Sequence, residues 1–284
     1  MTPLRLCKIL YSEFAAKTEQ ERIPETDLVM TDAEAVEAFA AAGNGTGIMS
    51  PFYQFALEQI AQALPANGTV VDLGCGSGAL LLPLAELFPK LRFVGVDLSG
   101  NMLAIAKNES VKRQLKNVSF LQENFTQISS IADNSIDFVY CSMAIHHLPT
   151  MATLNDTYRE VGRVLAPQGG FFFVDFGRLK SDRAIRLFVN DAVKGTPQVL
   201  LRDYDASMRA AFSLNEWRNT LQPLSGKNLK LMTTFGAPFI VGALCSHPTS
   251  QKLVPQALRA NRHQLTLRYF FDYLALRFLF KTCR

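Results

Sequence analysis

Short runs of apolar, β-branched and aromatic residues alternate with stretches of helical periodicity through the middle of the chain. The runs predict seven strands, at Thr69–Leu73, Arg92–Val96, Val118–Leu121, Asp137–Cys141, Gly170–Asp175, Leu229–Phe235 and Phe239–Leu244. Helices are predicted between the early strands, at Ser77–Phe88, Asn101–Lys107 and Thr153–Leu165. Apolar strands that alternate with helices indicate an α/β fold whose parallel sheet is covered on both faces.

Helical patterns precede and follow this alternation and divide the chain into three parts. Residues 1–49 predict a helical N-terminal segment. Ser50 and Pro51 predict the start of the next helix, because serine caps a helix and proline loses no hydrogen bond in the first turn. We expect one domain over residues 50–245 and a C-terminal extension over residues 246–284.

The segment 176–226 has strong helical periodicity and no strand pattern. A capping box at Ser213 and Glu216 predicts the start of one of its helices, because each side chain can bond the backbone N–H of the other. We therefore expect a helical lid between the fifth and sixth strands, covering a site for a small or medium-sized molecule.

Composition and charge limit the class of protein. The 284 residues are 48% hydrophobic and 19% charged, as in an ordinary globular chain. The net charge is +4, but residues 246–284 hold seven Lys or Arg against one acid, so the rest of the chain is slightly acidic. A nucleic-acid-binding surface needs a broader basic face, and no nucleic-acid partner is therefore expected.

The cysteines and the apolar runs bear on location. Five scattered cysteines form no C-x-x-C pair and no metal-ligand spacing, which favours reduced thiols and predicts no metal site. No apolar region typical of a signal peptide begins the chain, and no apolar run reaches about 18 residues. The predicted location is the cytoplasm.

A glycine-rich turn follows the first predicted strand. Residues 70–78, Val-Val-Asp-Leu-Gly-Cys-Gly-Ser-Gly, run from that strand through three glycines into a helix. Glycines allow a tight turn and the close approach of a ligand, and a helix N-terminus favours an anionic group. The G-x-G-x-G spacing differs from the G-x-G-x-x-G of dinucleotide-binding proteins, and a turn without a ligand is the alternative.

Asp97 ends the second predicted strand, 23 residues after Gly74. A carboxylate at this position can accept hydrogen bonds from both hydroxyls of a ribose. Ser99 follows as a predicted helix cap. The alternative for Asp97 is a helix-capping or surface acid.

Four motifs in this order resemble those of the class I S-adenosylmethionine-dependent methyltransferases. VVDLGCGSG and FVGVDLSGNMLAIAK resemble the first two motifs of that family, IDFVYCSMAIHHL its fourth-strand motif, and LAPQGGFFFVDF its fifth-strand motif. The resemblance covers about residues 50–245 and implies a Rossmann-like, seven-stranded sheet in the order 3-2-1-4-5-7-6, with the seventh strand antiparallel. It also implies methyl transfer from S-adenosylmethionine to a small-molecule acceptor, as in the menaquinone and ubiquinone methyltransferases.

The resemblance further implies a set of cofactor-binding residues: Asp72, Gly74, Cys75, Gly76, Gly78, Asp97, Leu98, Met102, Asn124 and Phe125. The glycine turn would line the methionine end of the cofactor, and Asp97 would hold the ribose. Leu98, Met102 and Phe125 would contact the adenine. Asn124 stands where many relatives have an aspartate, and its carbonyl oxygen would accept from the adenine amino group.

His146 and His147 follow the fourth strand, where the cofactor and substrate clefts of the family meet. A neutral imidazole there is a candidate general base, needed only where the acceptor is protonated at working pH. The alternative is a histidine pair that fixes the loop or touches the cofactor through its backbone.

The lid supplies the candidate substrate residues. Its DY..SM.AAFS pattern, with the earlier Ile23-Pro24-Glu25, resembles a bacterial subset of small-molecule methyltransferases. Tyr204 and Arg209 would offer a hydroxyl and a cation to the substrate, with Tyr204 also a catalytic candidate. Equally, the two are a surface pair that holds the lid.

The C-terminal extension combines apolar and basic residues over Leu265–Phe280. It is too short and too charged to span a bilayer, and too apolar to be left in water. It either folds back as a helix that covers the core, or lies on an anionic membrane or a partner.

Three other functions compete with the methyltransferase interpretation. The glycine spacing disfavours a nicotinamide-dependent oxidoreductase. An RNA methyltransferase would need an RNA-binding module and a basic body, which the sequence lacks. A non-catalytic protein that binds S-adenosylmethionine stays open.

Overall fold

The computed structural model describes residues 3–25, 47–193 and 196–283, and within them eight strands form one sheet. The strands are β1 (Gly68–Leu73), β2 (Leu91–Asp97), β3 (Val118–Gln122), β4 (Ile136–Ser142), β5 (Leu165–Phe176), β6 (Lys230–Thr234), β7 (Ile240–Cys245) and β8 (Phe280–Thr282). Their order is β3-β2-β1-β4-β5-β7-β6-β8. Strands β1 to β5 are parallel, whereas β7 is antiparallel to β5 and β6, and β8 is antiparallel to β6. The order implied by the resemblance is confirmed for seven strands, and the count of seven is wrong because the extension adds β8 at the edge.

Ten α-helices lie within the described residues. They are α1 (Pro3–Ala15), α2 (Ser50–Ala63), α3 (Leu81–Leu87), α4 (Gly100–Lys112), α5 (Met151–Val164), α6 (Asp182–Ala192), α7 (Gln198–Ala210), α8 (Leu214–Thr220), α9 (Gln256–Asn261) and α10 (Leu267–Leu279). The predicted helical segment 1–49 contains α1, while its residues 26–46 lie outside the described part. No helix in that part is long and apolar enough to cross a membrane.

Side chains that alternate along the central strands fill two apolar cores, one on each face of the sheet. Phe172 packs on the face covered by α2, α3 and α10, and its neighbour Phe173 packs on the face covered by α5 and α8. Because side chains of a strand alternate between faces, a strand buried on both sides is apolar at every position. This accounts for the continuous apolar runs in the sequence.

Two predicted helix starts are wrong. The helix predicted from Ser77 begins at Leu81, because Gly78 has a left-handed φ of +80° that no helix accommodates. Pro83 consequently falls in the first turn of α3, where its missing N–H costs no hydrogen bond. Ser50 is the first residue of α2 and does not cap it; Met49 occupies the cap position without a side-chain bond.

The segment between β5 and β6 is helical, as predicted, and comprises α6, α7, α8 and a 3-10 turn. The capping box at Ser213 and Glu216 is confirmed at the start of α8.

The C-terminal extension folds back on the body of the protein. Helix α10 packs on α2, and the buried Glu58 of α2 receives a bidentate ion pair from Arg262 at 2.6 and 2.7 Å. The hydroxyl of Tyr273 donates to the same carboxylate at 2.9 Å. A buried carboxylate is stable only when paired and hydrogen-bonded, so these contacts fix the extension in place.

Candidate active site

A cavity of about 780 Å³ lies at the carboxyl ends of β1, β2 and β4. Parallel strands bring the residues that follow them to one edge of the sheet, which is where α/β proteins bind ligands. Six of the ten predicted cofactor residues line the cavity: Gly74, Gly76, Asp97, Leu98, Met102 and Phe125.

The three glycines of the turn have different surroundings. A Cβ built on Gly76, whose φ is +52°, would meet no atom within 4 Å, so the backbone here faces open cavity. A Cβ on Gly74 would lie 2.4 Å from the Cβ of Ala144. A Cβ on Gly78 would lie 2.9 Å from Leu82, away from the cavity. Gly76 therefore gives a ligand access, whereas Gly78 allows close packing of the helix.

Asp97 closes the turn from the neighbouring strand. Its Oδ2 accepts from the N–H of Gly76 at 2.8 Å, and its Oδ1 accepts from the N–H of Ser99 at 2.8 Å. The hydroxyl of Ser99 in turn caps α4 by accepting from the N–H of Met102. Asp97 also lines the cavity, so its carboxylate both fixes the loop and is placed at the cavity wall.

Four predicted cofactor residues lie outside the cavity lining. Asp72 is buried beneath the turn, and burial raises the pKa of its carboxyl well above its usual range, a rise that the Tyr140 hydroxyl opposes. Cys75 is buried, and burial raises the pKa of its thiol. Asn124 is exposed, and its Oδ1 accepts from the N–H of Thr126 at 2.9 Å. Gly78 is the fourth, packed against the helix as described.

His146 lines the cavity and is held by a buried carboxylate. Its Nδ1 lies 2.6 Å from Oδ1 of Asp175, and its backbone N–H donates to Oδ2 of the same residue. Since a carboxylate only accepts, Nδ1 carries the proton and Nε2 is left facing Glu25, whose Oε1 is 3.9 Å away. The imidazole thus has a fixed tautomer and orientation.

Glu25 links the second histidine to the lid. Its carboxylate contacts Nδ1 of His147 and accepts from the hydroxyl of Ser207 at 2.8 Å. The preceding Arg22 holds this segment in place by donating to four carbonyl groups, those of His146, Leu148, Pro149 and Ala210. The N-terminal segment is therefore anchored against the loop that follows β4.

The charged groups of this cluster shift one another's pKa values. Burial alone would raise the pKa of Glu25, but His147, His146 and Ser207 outweigh it and lower that pKa to about 2. Burial alone would lower the pKa of His146, but Asp175 and Glu25 outweigh it and raise that pKa above its usual value of 6.5. Burial raises the pKa of Asp203, another residue of the cavity wall.

The two predicted substrate residues of the lid are separated by the structure. Tyr204 lines the cavity beside Phe176, and burial raises the pKa of its hydroxyl. Arg209 does not line it; its guanidinium pairs with Asp205 at 2.7 Å and with Asp182 at 2.8 Å. Arg209 therefore has the geometry expected of a cation that holds two lid helices together, which was the alternative to contact with the substrate.

Glu25, His146 and His147 are also close enough to hold a metal ion, since one ligand-type atom of each lies within 4.8 Å of the others. The absence of a metal site was predicted from the cysteine spacing alone, which carries no information about a cluster of glutamate and histidine. The sequence pointed to Glu25 only as part of the Ile23-Pro24-Glu25 stretch and to Asp175 only as the last residue of a predicted strand. Neither was predicted as a site residue. The signal that could have found Glu25 is its place in the Ile23-Pro24-Glu25 stretch.

Beyond this cluster the cavity wall is mostly apolar. It continues between α1, α6, α7 and α10, and the side chains there are mostly aliphatic or aromatic. Its wall includes Ile9, Phe52, Phe188, Leu201 and Leu276. The site therefore joins a polar, glycine-lined half to a large apolar half, with the two histidines at the junction.

A family model described as a methyltransferase domain matches residues 64–227, more than half of the chain. The match covers the glycine turn, Asp97, both histidines and the whole segment 176–226. This chain belongs to the S-adenosylmethionine-dependent methyltransferases.

The methyltransferase resembles curated relatives over part of their length. The ubiquinone/menaquinone biosynthesis C-methyltransferase UbiE of Rickettsia prowazekii is 29% identical over 128 residues, which are 43% of this chain and 50% of that protein. The carboxy-S-adenosyl-L-methionine synthase of Campylobacter jejuni is 34% identical over 99 residues, 34% of this chain and 38% of that protein. The chain thus spans about half or less of the length of these relatives.

A solved structure supports the fold of the methyltransferase. A SAM-dependent methyltransferase from Aquifex aeolicus matches with a TM-score of 0.51 and 20% identity, over 76% of this chain and 100% of that one. The family match decides against the nicotinamide-dependent oxidoreductase.

Proposed function

We propose that this methyltransferase transfers a methyl group from S-adenosylmethionine to a small, largely apolar acceptor whose nucleophilic atom carries a proton. The observation that carries the proposal is the single cavity in which the glycine turn, the His146–Asp175 pair and an apolar chamber meet. Residues 50–245 would form the catalytic domain, with residues 176–226 as the lid.

The glycine half of the cavity suits the cofactor. Open space at Gly76 admits a ligand against the backbone, and Asp97 offers carboxylate oxygens to a ribose. The apolar side chains of Leu98, Met102 and Phe125 form a wall suited to a flat base. Asp72, Cys75, Gly78 and Asn124 would support this half from outside the cavity.

We expect Asp97→Ala to weaken the binding of S-adenosylhomocysteine by roughly 10- to 150-fold, from the loss of about 1.5 to 3 kcal/mol in charge-assisted hydrogen bonds. Calorimetry measures the affinity directly. Asp133→Ala removes an exposed acid away from the cavity and serves as the control. Wild-type affinity in the Asp97 variant would remove this residue from the cofactor site.

The chemistry left to the protein is alignment and proton removal. The bound cofactor supplies an activated methyl group, so the chain must hold an acceptor in line with it and exclude water. The apolar chamber orients the body of the acceptor. Nε2 of His146 receives the proton, because Nδ1 is occupied by Asp175 and the imidazole is fixed in place.

The other predicted catalytic residues have supporting positions. His147, paired with Glu25, lies beside His146 with a ring separation of 4.2 Å. This pair would stabilise the positive charge that His146 acquires when it takes up the proton. Tyr204 would offer its hydroxyl to the acceptor from the lid. Arg209 would act only by holding the lid, through its two carboxylate partners.

The rate of methyl transfer should increase with pH through the pKa of His146, since only the neutral imidazole accepts a proton. That pKa lies above 6.5, because Asp175 and Glu25 outweigh burial. Asp175→Asn removes the carboxylate and should move this limb of the kcat–pH profile to lower pH. A limb at the same pH in both proteins would show that another group titrates.

Chelation separates this mechanism from a metal-dependent one. We expect methyl transfer to persist after extensive dialysis against EDTA, because the proton acceptor is an imidazole. Activity that disappears on dialysis and returns with a divalent metal ion would instead assign the Glu25–His146–His147 cluster to metal binding.

A further inference from the structure

Two helices that line the apolar half of the cavity also carry exposed apolar side chains on their outer faces. Helix α1 contributes Leu6, Ile9 and Leu10 to the cavity wall, and α10 contributes Leu276 and Leu279. Another face of each helix is turned to the outside. A surface helix ordinarily shows polar residues there.

On α1 the exposed apolar residues are Leu4, Tyr11 and Phe14, with the exposed Lys8 between them. Spacings of seven and three residues place these side chains on one helical face. Phe14 is 90% exposed, although a phenylalanine is among the residues most stabilised by removal from water.

On α10 the exposed apolar residues are Leu267, Phe271 and Phe278, spaced by four and seven residues and again on one face. Phe271 is 58% exposed and lines the cavity as well, as does Phe235 in the β6–β7 turn, which is 76% exposed. Because these two aromatic side chains face both the cavity and the outside, they mark its mouth.

The two helices are joined at this mouth. Asp191 of α6 pairs with Arg5 of α1 at 2.5 Å and with Arg268 of α10 at 3.1 Å. The backbone N–H of Phe235 donates to the carbonyl of Leu279 at 2.8 Å. These contacts hold α1, α10 and the β6–β7 turn together, with Phe235 and Phe271 at the opening. We call the exposed apolar residues of these three elements the mouth patch.

The segments that carry the mouth patch have a positive net charge. Residues 246–283 carry six Lys or Arg against one acid, and α1 carries two basic residues against one acid. The charge stays positive when Asp191 and Glu58, which pair with arginines of these segments, are included. Lys8 on α1 and Lys281 just beyond α10 are exposed beside the apolar residues. Aromatic and aliphatic side chains interleaved with lysines form the type of surface that binds an anionic bilayer.

We propose that the mouth patch docks the protein on an anionic lipid bilayer, so that an acceptor dissolved in the lipid enters the cavity without crossing water. Leu4, Tyr11, Phe14, Phe235 and Phe271 would insert at the level of the headgroups, with Lys8 and Lys281 against lipid phosphates. The docking explains why two exposed aromatic side chains, Phe235 and Phe271, lie at the opening of an apolar chamber. It builds on the apolar acceptor proposed above, although vesicle binding itself requires neither cofactor nor acceptor.

Sedimentation with vesicles tests the proposal on the full chain. The wild-type protein should bind vesicles of phosphatidylglycerol and phosphatidylcholine in equal parts, bind pure phosphatidylcholine much more weakly, and dissociate as salt is raised. Phe14→Ser and Phe271→Ser should each weaken binding about tenfold, and Lys8→Glu about fivefold or more. Val111→Ser and Lys116→Glu, which change exposed residues elsewhere, should bind vesicles as the wild type does.

Each variant is also titrated with S-adenosylhomocysteine. Phe14→Ser, Lys8→Glu and the two controls should keep wild-type affinity, because these side chains do not line the cavity. A protein that binds the cofactor product but not anionic vesicles would overturn the docking and leave the methyltransferase proposal intact. So would a dimer that Phe14→Ser or Phe271→Ser dissociates in sedimentation equilibrium without any vesicle binding. Equal losses in the Val111 or Lys116 controls would likewise contradict a role of the mouth patch.

Discussion

Gly76→Val should abolish measurable binding of S-adenosylhomocysteine, a loss of at least about 100-fold. The Cβ position of Gly76 points into open cavity, so the valine side chain would occupy the space that the cofactor needs. The φ of +52° adds a cost of roughly 1 to 2 kcal/mol for any residue with a Cβ. Binding is measured by calorimetry, and the free energy of unfolding by urea titration.

Two further variants separate the steric effect from backbone strain. Gly76→Ala carries the same strain with a smaller side chain and should keep part of the affinity. Gly226→Val also enters open space, but away from the cavity, and should bind as the wild type does. If Gly76→Val is folded and binds normally, the glycine turn does not face the cofactor.

His146→Asn should lower kcat for methyl transfer by about 100- to 10,000-fold, the range expected for the loss of a general base. Asparagine keeps a donor toward Asp175 but has no group that accepts a proton at Nε2. The affinity for S-adenosylhomocysteine should change little, because the imidazole lies at the junction of the cavity and not at the glycine turn.

His263→Asn is the matched control, because His263 is exposed and outside the cavity. It should leave kcat unchanged. A His146→Asn enzyme with a kcat within about threefold of the wild type would assign this histidine to a structural role, as the alternative from the sequence has it.

The sheet and the glycine turn were predictable from the sequence because they depend on local patterns. Apolar runs of strand length predicted the positions of seven strands, and the glycines with Asp97 predicted a turn that lines one end of the cavity. The start of α3 was missed because a left-handed Gly78 delays the helix, and local periodicity does not report φ.

The side of the cavity that holds the two histidines depends on contacts between distant parts of the chain. Glu25 reaches His147 across 122 positions because Arg22 anchors its segment to backbone carbonyls, and no periodic pattern records such an anchor. Strand β8 was missed for the same reason, since three residues at the end of a helix pair with β6 only after the extension folds back.

The most direct test of the central claim is the fate of a radiolabelled methyl group. The protein is incubated with S-adenosylmethionine labelled in the methyl group and with a whole-cell extract that includes lipids, RNA and proteins, beside Gly76→Val and His146→Asn. The account predicts label in a product that partitions into organic solvent, formed with an equal amount of S-adenosylhomocysteine and strongly reduced in both variants. Label that enters RNA or protein, or no label from a protein that binds S-adenosylhomocysteine, would contradict methyl transfer to a small apolar acceptor.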